Sequence, residues 1–319
     1  MKAIRIAAPQ KAEVVDVPTP EVGEGQVLVR LIASSICNQM EWKIFTAKGV
    51  AEVPEHKIPY PLPPGAPGHE GVGEVVEVGR GVDRLKVGDI VVMMGGGGTP
   101  LHAEYAVRDE RAVVRLERDV PAESAAPLEL YACVLGGIRK AGGAIGERVV
   151  VSGLGPAGLV AVQLLRATGA TEIIGIDPIE ERRERALICG ADVAYSPEDE
   201  EVGRLKKEGV PLVFDTSGAP SSILSSFEMS RDRVMVFGVT WERFEVDQSL
   251  WFRHDLTIMA VKPLGREGMA NVEAVVRLYE RGRIEPEKII THRMRLEDYG
   301  EAMELIGAKR ALKVLLVHG

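Results

Sequence analysis

The sequence lacks an excess of basic residues, long apolar runs and a secretion signal, which are the marks of nucleic-acid-binding, membrane and secreted proteins. Lysine and arginine total 39 against 47 acidic residues, which gives a formal net charge of −8 at pH 7. This balance argues against a surface that binds nucleic acids or anionic membranes. No apolar run reaches the roughly 18 residues that a membrane span needs, and the first residues lack the apolar core of a secretion signal. We therefore expect a cytoplasmic protein with no nucleic-acid or membrane partner.

Cysteine and amide side chains are scarce as well. The three cysteines, at positions 37, 133 and 189, are far apart and odd in number, and no C-x-x-C motif occurs. This pattern argues against a disulfide framework, so each cysteine can be a free thiol or thiolate. Asparagine occurs at two positions and glutamine at five; this scarcity, with many Glu and Arg residues, is typical of thermophilic proteins.

What the chain does have is length and apolar content. Its 319 residues are 45% hydrophobic, which supports a large core and two domains. The N-terminal part predicts strands at Ala3–Ala7 and Gln26–Ser34. From Glu147 onwards, six short apolar strands alternate with helical segments, a pattern that is typical of a doubly wound parallel sheet.

A histidine and a glutamate stand side by side in a glycine-rich stretch. The pattern G-H-E-x2-G-x5-G-x2-V begins at Gly68 and contains His69 and Glu70. Glycines beside them let backbone and substrate approach closely, so the pair is a candidate metal or acid–base site. The alternative for His69 alone is a hydrogen-bonded histidine at the start of a strand, because Glu74–Val78 alternates polar and apolar residues.

A second glycine pattern predicts a dinucleotide site. Gly153, Gly155 and Gly158 form G-x-G-x-x-G between the predicted strand Glu147–Ser152 and a helix. Asp177 ends the next strand, 19 residues after Gly158. The glycines let the backbone approach a pyrophosphate, and the helix N-terminus offers unpaired N–H groups. Asp177 would accept from a ribose hydroxyl and repel a 2′-phosphate, which favours NAD over NADP; the alternative for Asp177 is a helix cap.

Further residues are candidates for the same cofactor site. Pro156 and Ala157 complete the glycine loop. The segments D-T-S-G and F-G-V place Ser217, Gly238 and Val239 at the ends of later strands. In a doubly wound sheet, these strand ends face the cofactor.

The pattern at residues 68–82 resembles the zinc-site signature of the medium-chain, zinc-dependent alcohol and polyol dehydrogenases, and the resemblance covers the full chain. It implies an α/β architecture with a GroES-like, mostly-β catalytic domain at residues 1–120 and 264–319. It also implies an NAD-binding Rossmann domain, a doubly wound parallel sheet, at residues 121–263. The family forms dimers and tetramers, so we expect a homo-oligomer.

The resemblance also implies roles in the sites. Zinc would bind Cys37 and His69, whereas a cysteine after a strand is otherwise usually a small buried hydrophobic residue. The third ligand position, Cys or Glu in the family, falls on Glu129, which lies in the apolar segment L-E-L-Y-A-C-V-L and needs a partner there. Glu70 competes with Glu129 for the metal. The expected catalytic residues are Cys37, His69 and Glu70. Arg182 corresponds to a basic residue that lies along the adenine.

Two features depart from the family. Many members carry four closely spaced cysteines that bind a structural zinc, whereas this chain has only the short link Gly95–Gly98, so we expect one zinc at most. After Cys37, the family has a Ser or Thr that passes on the alcohol proton and then an Asp; here the run is N-Q-M-E-W-K. Glu41 can replace the Asp, but no hydroxyl is present. His56 and His102 are possible substitutes, although both are also interpreted as ordinary surface or loop histidines.

These expectations predict an enzyme that transfers a hydride between NAD and a secondary alcohol or polyol at one zinc site. The alcohol or polyol is the expected small-molecule partner. A glutamate at the third metal position is commoner in the polyol branch, which is an inference from the resemblance alone. Two alternatives stay open. One is a zinc-free quinone or enoyl reductase of the same superfamily, and the other is a catalytically silent NAD-binding sensor.

Overall fold

The computed structural model describes residues 1–50, 53–240, 242–262 and 268–318. Its strands are β1 Lys2–Ala8, β2 Lys11–Asp16, β3 Gln26–Ser35, β4 Glu70–Val78, β5 Ile90–Met94, β6 Tyr105–Asp109, β7 Val113–Arg115, β8 Arg148–Ser152, β9 Glu172–Ile176, β10 Val193–Tyr195, β11 Val210–Asp215, β12 Ser230–Val236, β13 Thr257–Ala260, β14 Ile290–Met294 and β15 Lys313–Val317. Its α-helices are α1 Met40–Phe45, α2 Leu128–Lys140, α3 Pro156–Ala167, α4 Glu180–Cys189, α5 Glu200–Glu208, α6 Pro220–Met229, α7 Gln248–His254, α8 Gly268–Glu280 and α9 Tyr299–Gly307. Short 3₁₀ turns lie at Glu55–Lys57, Glu110–Ala112, Ala122–Ala125, Pro286–Lys288 and Leu296–Asp298.

The first of two compact units comprises Met1–Glu129 and Ile290–Gly319. Its main sheet has the strand order β14-β15-β3-β4-β5-β7, with β6 paired to β3, and β1 pairs with β2 in a separate antiparallel pair. Apolar side chains of β3, β4 and β5 form one buried core, while β1, α9 and β15 contribute to a second core. The unit is mostly β, as the sequence predicts for this part of the chain.

The register of the first unit brings distant segments side by side. β3 runs antiparallel to β4, with Ser34 opposite Gly71 and Ser35 opposite Glu70. β15 pairs with the same end of β3, with Leu316 opposite Ser34. Because paired residues lie about 5 Å apart, the end of β3, the beginning of β4 and β15 meet at one place. The strand predicted at Glu74–Val78 therefore begins earlier than expected, at Glu70.

The second unit comprises Leu130–Ile289. Its sheet has six parallel strands in the order β10-β9-β8-β11-β12-β13. The central strands are short apolar runs such as Val149–Val151, which are buried as expected for a parallel sheet that is covered on both faces. The strand order reverses between β8 and β11, which is the topology of a doubly wound sheet, and ligands bind such sheets at the carboxyl ends of these strands.

The limits of the two units differ from the domain limits expected after residues 120 and 263. The predicted boundary between 263 and 264 lies outside the described residues. The segment that follows it belongs to the second unit, because Asn271 on α8 accepts a hydrogen bond from Arg139 on α2. The backbone N–H of Glu285 likewise donates to the side chain of Gln163 on α3 at 2.7 Å.

The helix predicted over residues 122–141 is divided. The 3₁₀ turn Ala122–Ala125 comes first, and α2 begins only at Leu128. Pro127 lies between them, and a proline has no N–H group to continue a helical ladder but fits just before the first turn. The predicted helix end is accurate, since α2 ends at Lys140 and Gly142 has a φ of +82°. Among the described residues, none of the helices combines the length and the apolar character that crossing a membrane requires.

Candidate active site

Cys37, His69 and Glu70 come together where β3 ends and β4 begins. One ligand atom from each residue, a thiol sulfur, an imidazole nitrogen and a carboxylate oxygen, lies within 4.8 Å of the others. Zinc bonds of about 2.0–2.3 Å place tetrahedral ligands roughly 3.5 Å apart, so small side-chain rotations close this group around an ion. Thiolate, imidazole and carboxylate are the donors that zinc binds in proteins, and the residues present therefore fit the metal.

The imidazole of His69 is oriented as a metal ligand requires, and it lies among negatively charged groups. Its Nδ1 lies 2.9 Å from the carbonyl oxygen of Pro67 and donates to it, so Nε2 is left for a metal. Burial lowers the pKa of His69, whereas a hydrogen bond and the charge of Cys37 raise it. The charges of Glu129 and Glu70 raise this pKa further, to well above its ordinary value. The same negative groups would attract a metal ion in place of the proton.

Glu70 is paired with a buried lysine. The Nζ atom of Lys313 on β15 lies 2.8 Å from both carboxylate oxygens of Glu70 and 2.8 Å from the carbonyl oxygen of Ile36. Burial lowers the pKa of Lys313, but the charges of Glu70 and Cys37 raise it above its ordinary value. The sequence analysis missed Lys313, although a single lysine in the apolar run A-L-K-V-L-L-V is a signal for a buried ion pair.

Glu129, the other candidate ligand, lies in the first turn of α2 and is 5% exposed. Its charge acts on His69, which places it near the site. It is not a member of the three-residue group whose ligand atoms lie within 4.8 Å of one another. Glu70 and Glu129 thus both stay predictions for the third ligand. Glu70 lies closer to Cys37 and His69, whereas Glu129 is not the carboxylate that pairs with Lys313.

Glu41 on α1 is fully buried behind the candidate ligands. Its Oε1 accepts from the backbone N–H of Cys37 at 3.0 Å and lies 3.8 Å from Nδ1 of His69. Its Oε2 lies 2.7 Å from Nε2 of His102 and accepts from the Tyr299 hydroxyl at 3.1 Å. Burial raises the pKa of Glu41, but the charge and hydrogen bond of His102 and the charge of His69 lower it below its ordinary value.

His102 lies in the connection between β5 and β6, so its interpretation as a loop histidine is correct, but it is not a surface histidine. The side chain is fully buried, with Nδ1 2.9 Å from Oγ of Ser34, and this hydroxyl lies 3.2 Å from Nε2 of His318. His56, in contrast, is exposed on the turn Glu55–Lys57. Pairing of β3 with β15 brings Ser34 to His318, and no local sequence pattern indicates such a long-range contact.

The glycine loop between β8 and α3 has the geometry that the fingerprint requires. Gly153 has a φ of +86°, and a Cβ atom on Gly158 would lie 1.9 Å from the carbonyl oxygen of Gly153. The helix therefore packs directly on the loop. A Cβ atom on Gly155 would meet only Nη1 of Arg182, at 3.9 Å. Gly155 thus faces open space at the N-terminus of α3, where a pyrophosphate can approach the backbone.

Asp177 directly follows β9 and is buried. Its Oδ2 accepts from the N–H of Leu154 at 2.8 Å, and its Oδ1 accepts from the N–H of Ile179 at 2.9 Å. The bond to Ile179, at the beginning of α4, agrees with the capping alternative, and the bond to Leu154 places the carboxylate against the glycine loop. Nη1 of Arg182 lies 3.7 Å from Oδ2, so this arginine is beside the predicted ribose site.

The remaining predicted cofactor residues lie at the same edge of the sheet in the second unit. Pro156 and Ala157 form the first turn of α3. Ser217 follows β11, and Gly238 and Val239 follow β12. Because β8, β11 and β12 are adjacent parallel strands, their carboxyl ends form one edge, which is where doubly wound sheets bind nucleotides.

The link Gly95–Gly98 joins β5 to a segment that leads into β6. Its second and third glycines have φ values of +89° and +69°, a conformation that other residues rarely adopt. Within the described part of the chain, the group at Cys37, His69 and Glu70 is the single cluster of three or more candidate metal ligands.

Comparison with known proteins identifies the family. The model of the alcohol dehydrogenase GroES-like domain matches residues 23–153, and that of the zinc-binding dehydrogenase matches residues 156–277. The chain is similar to L-threonine 3-dehydrogenase of Pyrococcus abyssi, with 29% identity over 96% of this chain and 95% of that protein. It is similar to (R,R)-butanediol dehydrogenase of Bacillus subtilis, with 28% identity over 99% of each.

Among solved structures, the fold is similar to that of alcohol dehydrogenase TADH from Thermus sp. ATN1, with a TM-score of 0.85 and 28% identity over 99% of each chain. The chain belongs to the zinc-dependent medium-chain alcohol dehydrogenase family. The predicted fold class, a GroES-like domain with a Rossmann domain, is confirmed, and so is the prediction of an enzyme that is a dehydrogenase.

Proposed function

We propose that the protein oxidises a secondary alcohol or polyol with NAD as hydride acceptor, using one zinc ion. The main support is the grouping of Cys37, His69 and Glu70 within 4.8 Å in a chain whose second unit carries a complete dinucleotide loop. A zinc-free quinone or enoyl reductase needs no such donor set. A silent NAD-binding sensor needs none either.

The names of the relatives support the substrate class. L-threonine 3-dehydrogenase acts, by its name, at a carbon that bears a secondary hydroxyl. (R,R)-butanediol has two stereocentres, so both of its hydroxyl groups are secondary. We extend this shared chemistry to the present chain and propose a substrate with a secondary hydroxyl and a neighbouring polar group.

The residues of the chain have distinct parts in the proposed reaction. Zinc bound by Cys37, His69 and a carboxylate supplies Lewis-acid catalysis that favours loss of the substrate's hydroxyl proton. Glu41 holds the backbone of Cys37 and faces His69. Gln39, which follows Cys37 closely, has an amide and no hydroxyl, so a side chain at this place does not relay the proton.

The second unit would bind the cofactor. Backbone N–H groups at Gly155 and the N-terminus of α3 would donate to the pyrophosphate, and the Asp177 carboxylate would accept from a ribose hydroxyl. A 2′-phosphate would be repelled by this carboxylate, so NAD is the proposed cofactor. We further propose one zinc per chain, because Gly95–Gly98 replaces the cysteine-rich lobe. A homo-oligomer and a cytoplasmic location stay predictions.

A substrate panel tests the proposal. The purified protein is offered polyols and secondary alcohols, including L-threonine and butanediol, at alkaline pH with NAD and NADP side by side, and the absorbance of the reduced cofactor is followed. We expect turnover of at least one substrate with NAD and much less with NADP. A zinc content below about 0.2 per chain in protein purified without chelator would favour the reductase. Inactivity across the panel with zinc and NAD bound would favour the sensor.

A further inference from the structure

His102 is a buried imidazole whose contacts point to a role other than the proton relay considered above. Both of its ring nitrogens are engaged, with Nε2 2.7 Å from Oε2 of Glu41 and Nδ1 2.9 Å from Oγ of Ser34. The side chains of His102, Glu41 and Ser34 are all fully buried. Burying a carboxylate and an imidazole is costly unless each group has a partner with good geometry, so the contact is a specific arrangement in the core of the first unit.

The two oxygens of Glu41 face opposite ways. Oε2 receives its hydrogen bonds from the side of His102 and Tyr299. Oε1 accepts from the backbone N–H of Cys37 and lies 3.8 Å from Nδ1 of His69. Because a carboxylate is planar and rigid, anchoring Oε2 also fixes where Oε1 lies. The orientation of Glu41 toward both candidate metal ligands therefore depends on the donors at its far end.

The backbone around His102 leaves little freedom for the ring. The N–H of His102 donates to the carbonyl of Gly65 at 3.2 Å, and its own carbonyl accepts from the N–H of Ile4 at 2.9 Å. A Cβ atom on Gly68 would lie 2.6 Å from Cγ of the His102 ring. The ring thus packs against the backbone immediately before His69, and only a glycine at position 68 leaves room for it.

We propose that His102 is a positioning residue of the metal centre: through Glu41 it orients Cys37 and His69 and so increases the affinity of the site for its ion. This inference rests on the proposed function, since it assumes that Cys37 and His69 bind zinc. Groups that orient metal ligands typically change metal affinity by 10- to 100-fold when they are removed.

Two substitutions at position 102 separate positioning from packing. In His102→Asn, the amide reaches the place of Nδ1, near Ser34, but loses the contact with Glu41. In His102→Gln, the longer side chain places an amide N–H near the position of Nε2 and retains the bond to Glu41. The full-length apo protein of each variant is loaded with Co²⁺ alone, and the visible absorption spectrum and the dissociation constant are measured in competition with a chelator.

We expect His102→Asn to weaken Co²⁺ binding by about 10- to 100-fold and to shift the visible bands, with His102→Gln within about threefold of the wild type. Equal effects of the two variants, or a wild-type spectrum and affinity in His102→Asn, would overturn the inference. If His102→Asn does not fold by circular dichroism, His102→Gln decides, because it keeps a donor to Oε2 of Glu41; Co²⁺ binding more than tenfold weaker than that of the wild type in folded His102→Gln protein would overturn the inference. Failure of the wild-type protein to bind Co²⁺ would instead contradict the proposed function.

Discussion

At the scale of single residues, the candidate metal site is defined by how its carboxylates are partnered. Glu70 lies closest to Cys37 and His69, but both of its oxygens are 2.8 Å from the ammonium group of Lys313. A carboxylate that binds a metal must give up part of such a contact. Glu129 would not have to leave this lysine, but it stands outside the close group. The two candidates therefore differ in the reorganisation that ligation requires.

The sequence predicts the ligands better than it predicts the residues around them. Cys37 and His69 stand in a recognisable pattern at a characteristic spacing. Lys313 and Tyr299 reach the same place because β15 pairs with β3 and α9 packs in the same core. His102 reaches it from the connection between β5 and β6, where its backbone bonds to Gly65 and Ile4. Such long-range pairing leaves no periodic signal in the local sequence, so the contacts of these residues could not be predicted, although a lone lysine in an apolar run does indicate a buried ion pair.

Asp177 offers a direct test of cofactor selectivity. We expect Asp177→Ala to lower the ratio of kcat/KM for NAD to that for NADP by about tenfold or more, because the carboxylate that repels a 2′-phosphate is gone. The alanine also removes the acceptors for the N–H groups of Leu154 and Ile179, which costs about 1–3 kcal/mol for an unsatisfied buried group.

Asp177→Asn is the matched control, since it removes the charge and retains one oxygen as an acceptor. Steady-state kinetics with both cofactors measure the ratio for each variant. If the selectivity stays at the wild-type value in both, Asp177 does not discriminate between the cofactors.

At the scale of elements, local chemistry predicted where most strands and helices lie, and errors occurred where one residue changed a boundary. Pro127 splits the segment predicted as one helix, because it cannot donate to the helical ladder. β4 begins at Glu70 rather than near Glu74 because pairing with β3 extends it across the glycines. Glycine-rich sequence favours a turn in isolation, and only the neighbouring strand makes it extended.

The glycine loop allows a prediction that separates folding from cofactor binding. Gly158→Ala places a methyl group 1.9 Å from the carbonyl oxygen of Gly153, and we expect it to destabilise the protein by about 3 kcal/mol, or roughly 5–10 °C in Tm. Gly155→Ala has no close contact within the chain. It should fold with a Tm close to that of the wild type but bind NAD about tenfold or more weakly, because its methyl group occupies the pyrophosphate position.

Differential scanning calorimetry and NADH titration distinguish the two glycine variants. Equal loss of stability in both would mean that Gly155 serves packing only. Wild-type NADH affinity in Gly155→Ala would show that the pyrophosphate does not lie against this part of the backbone.

At the scale of the whole molecule, the two-part architecture followed from the change in pattern along the chain, but its limits did not. Repeated alternation of strand and helix predicted the parallel sheet of the second unit, since each crossover constrains the next strand. The apolar periodicity of α8 predicts a helix but does not indicate which of the two units it packs against. Its contact with α2, through Asn271 and Arg139, decides its place, and a single sequence does not predict such a pair.

Metal binding should be linked to the stability of the whole chain. Protein purified without chelator is expected to hold about one zinc ion per chain, and removing the ion should lower Tm. The reason is that a ligand that binds only the native state stabilises it by RT ln(1 + [L]/Kd), about 4 kcal/mol at a thousandfold excess over Kd.

Cys37→Ser should lose most of the zinc and the response of Tm to chelator. Cys189→Ala is the matched control. Cys189 is buried at the end of α4 in the second unit, whereas Cys37 and His69 belong to the first unit. It should keep both the zinc and the chelator response, apart from a small loss of packing energy. Elemental analysis and thermal denaturation with and without chelator measure both quantities. Two zinc ions per wild-type chain would contradict the loss of the structural site, and full zinc occupancy in Cys37→Ser would place the ion elsewhere.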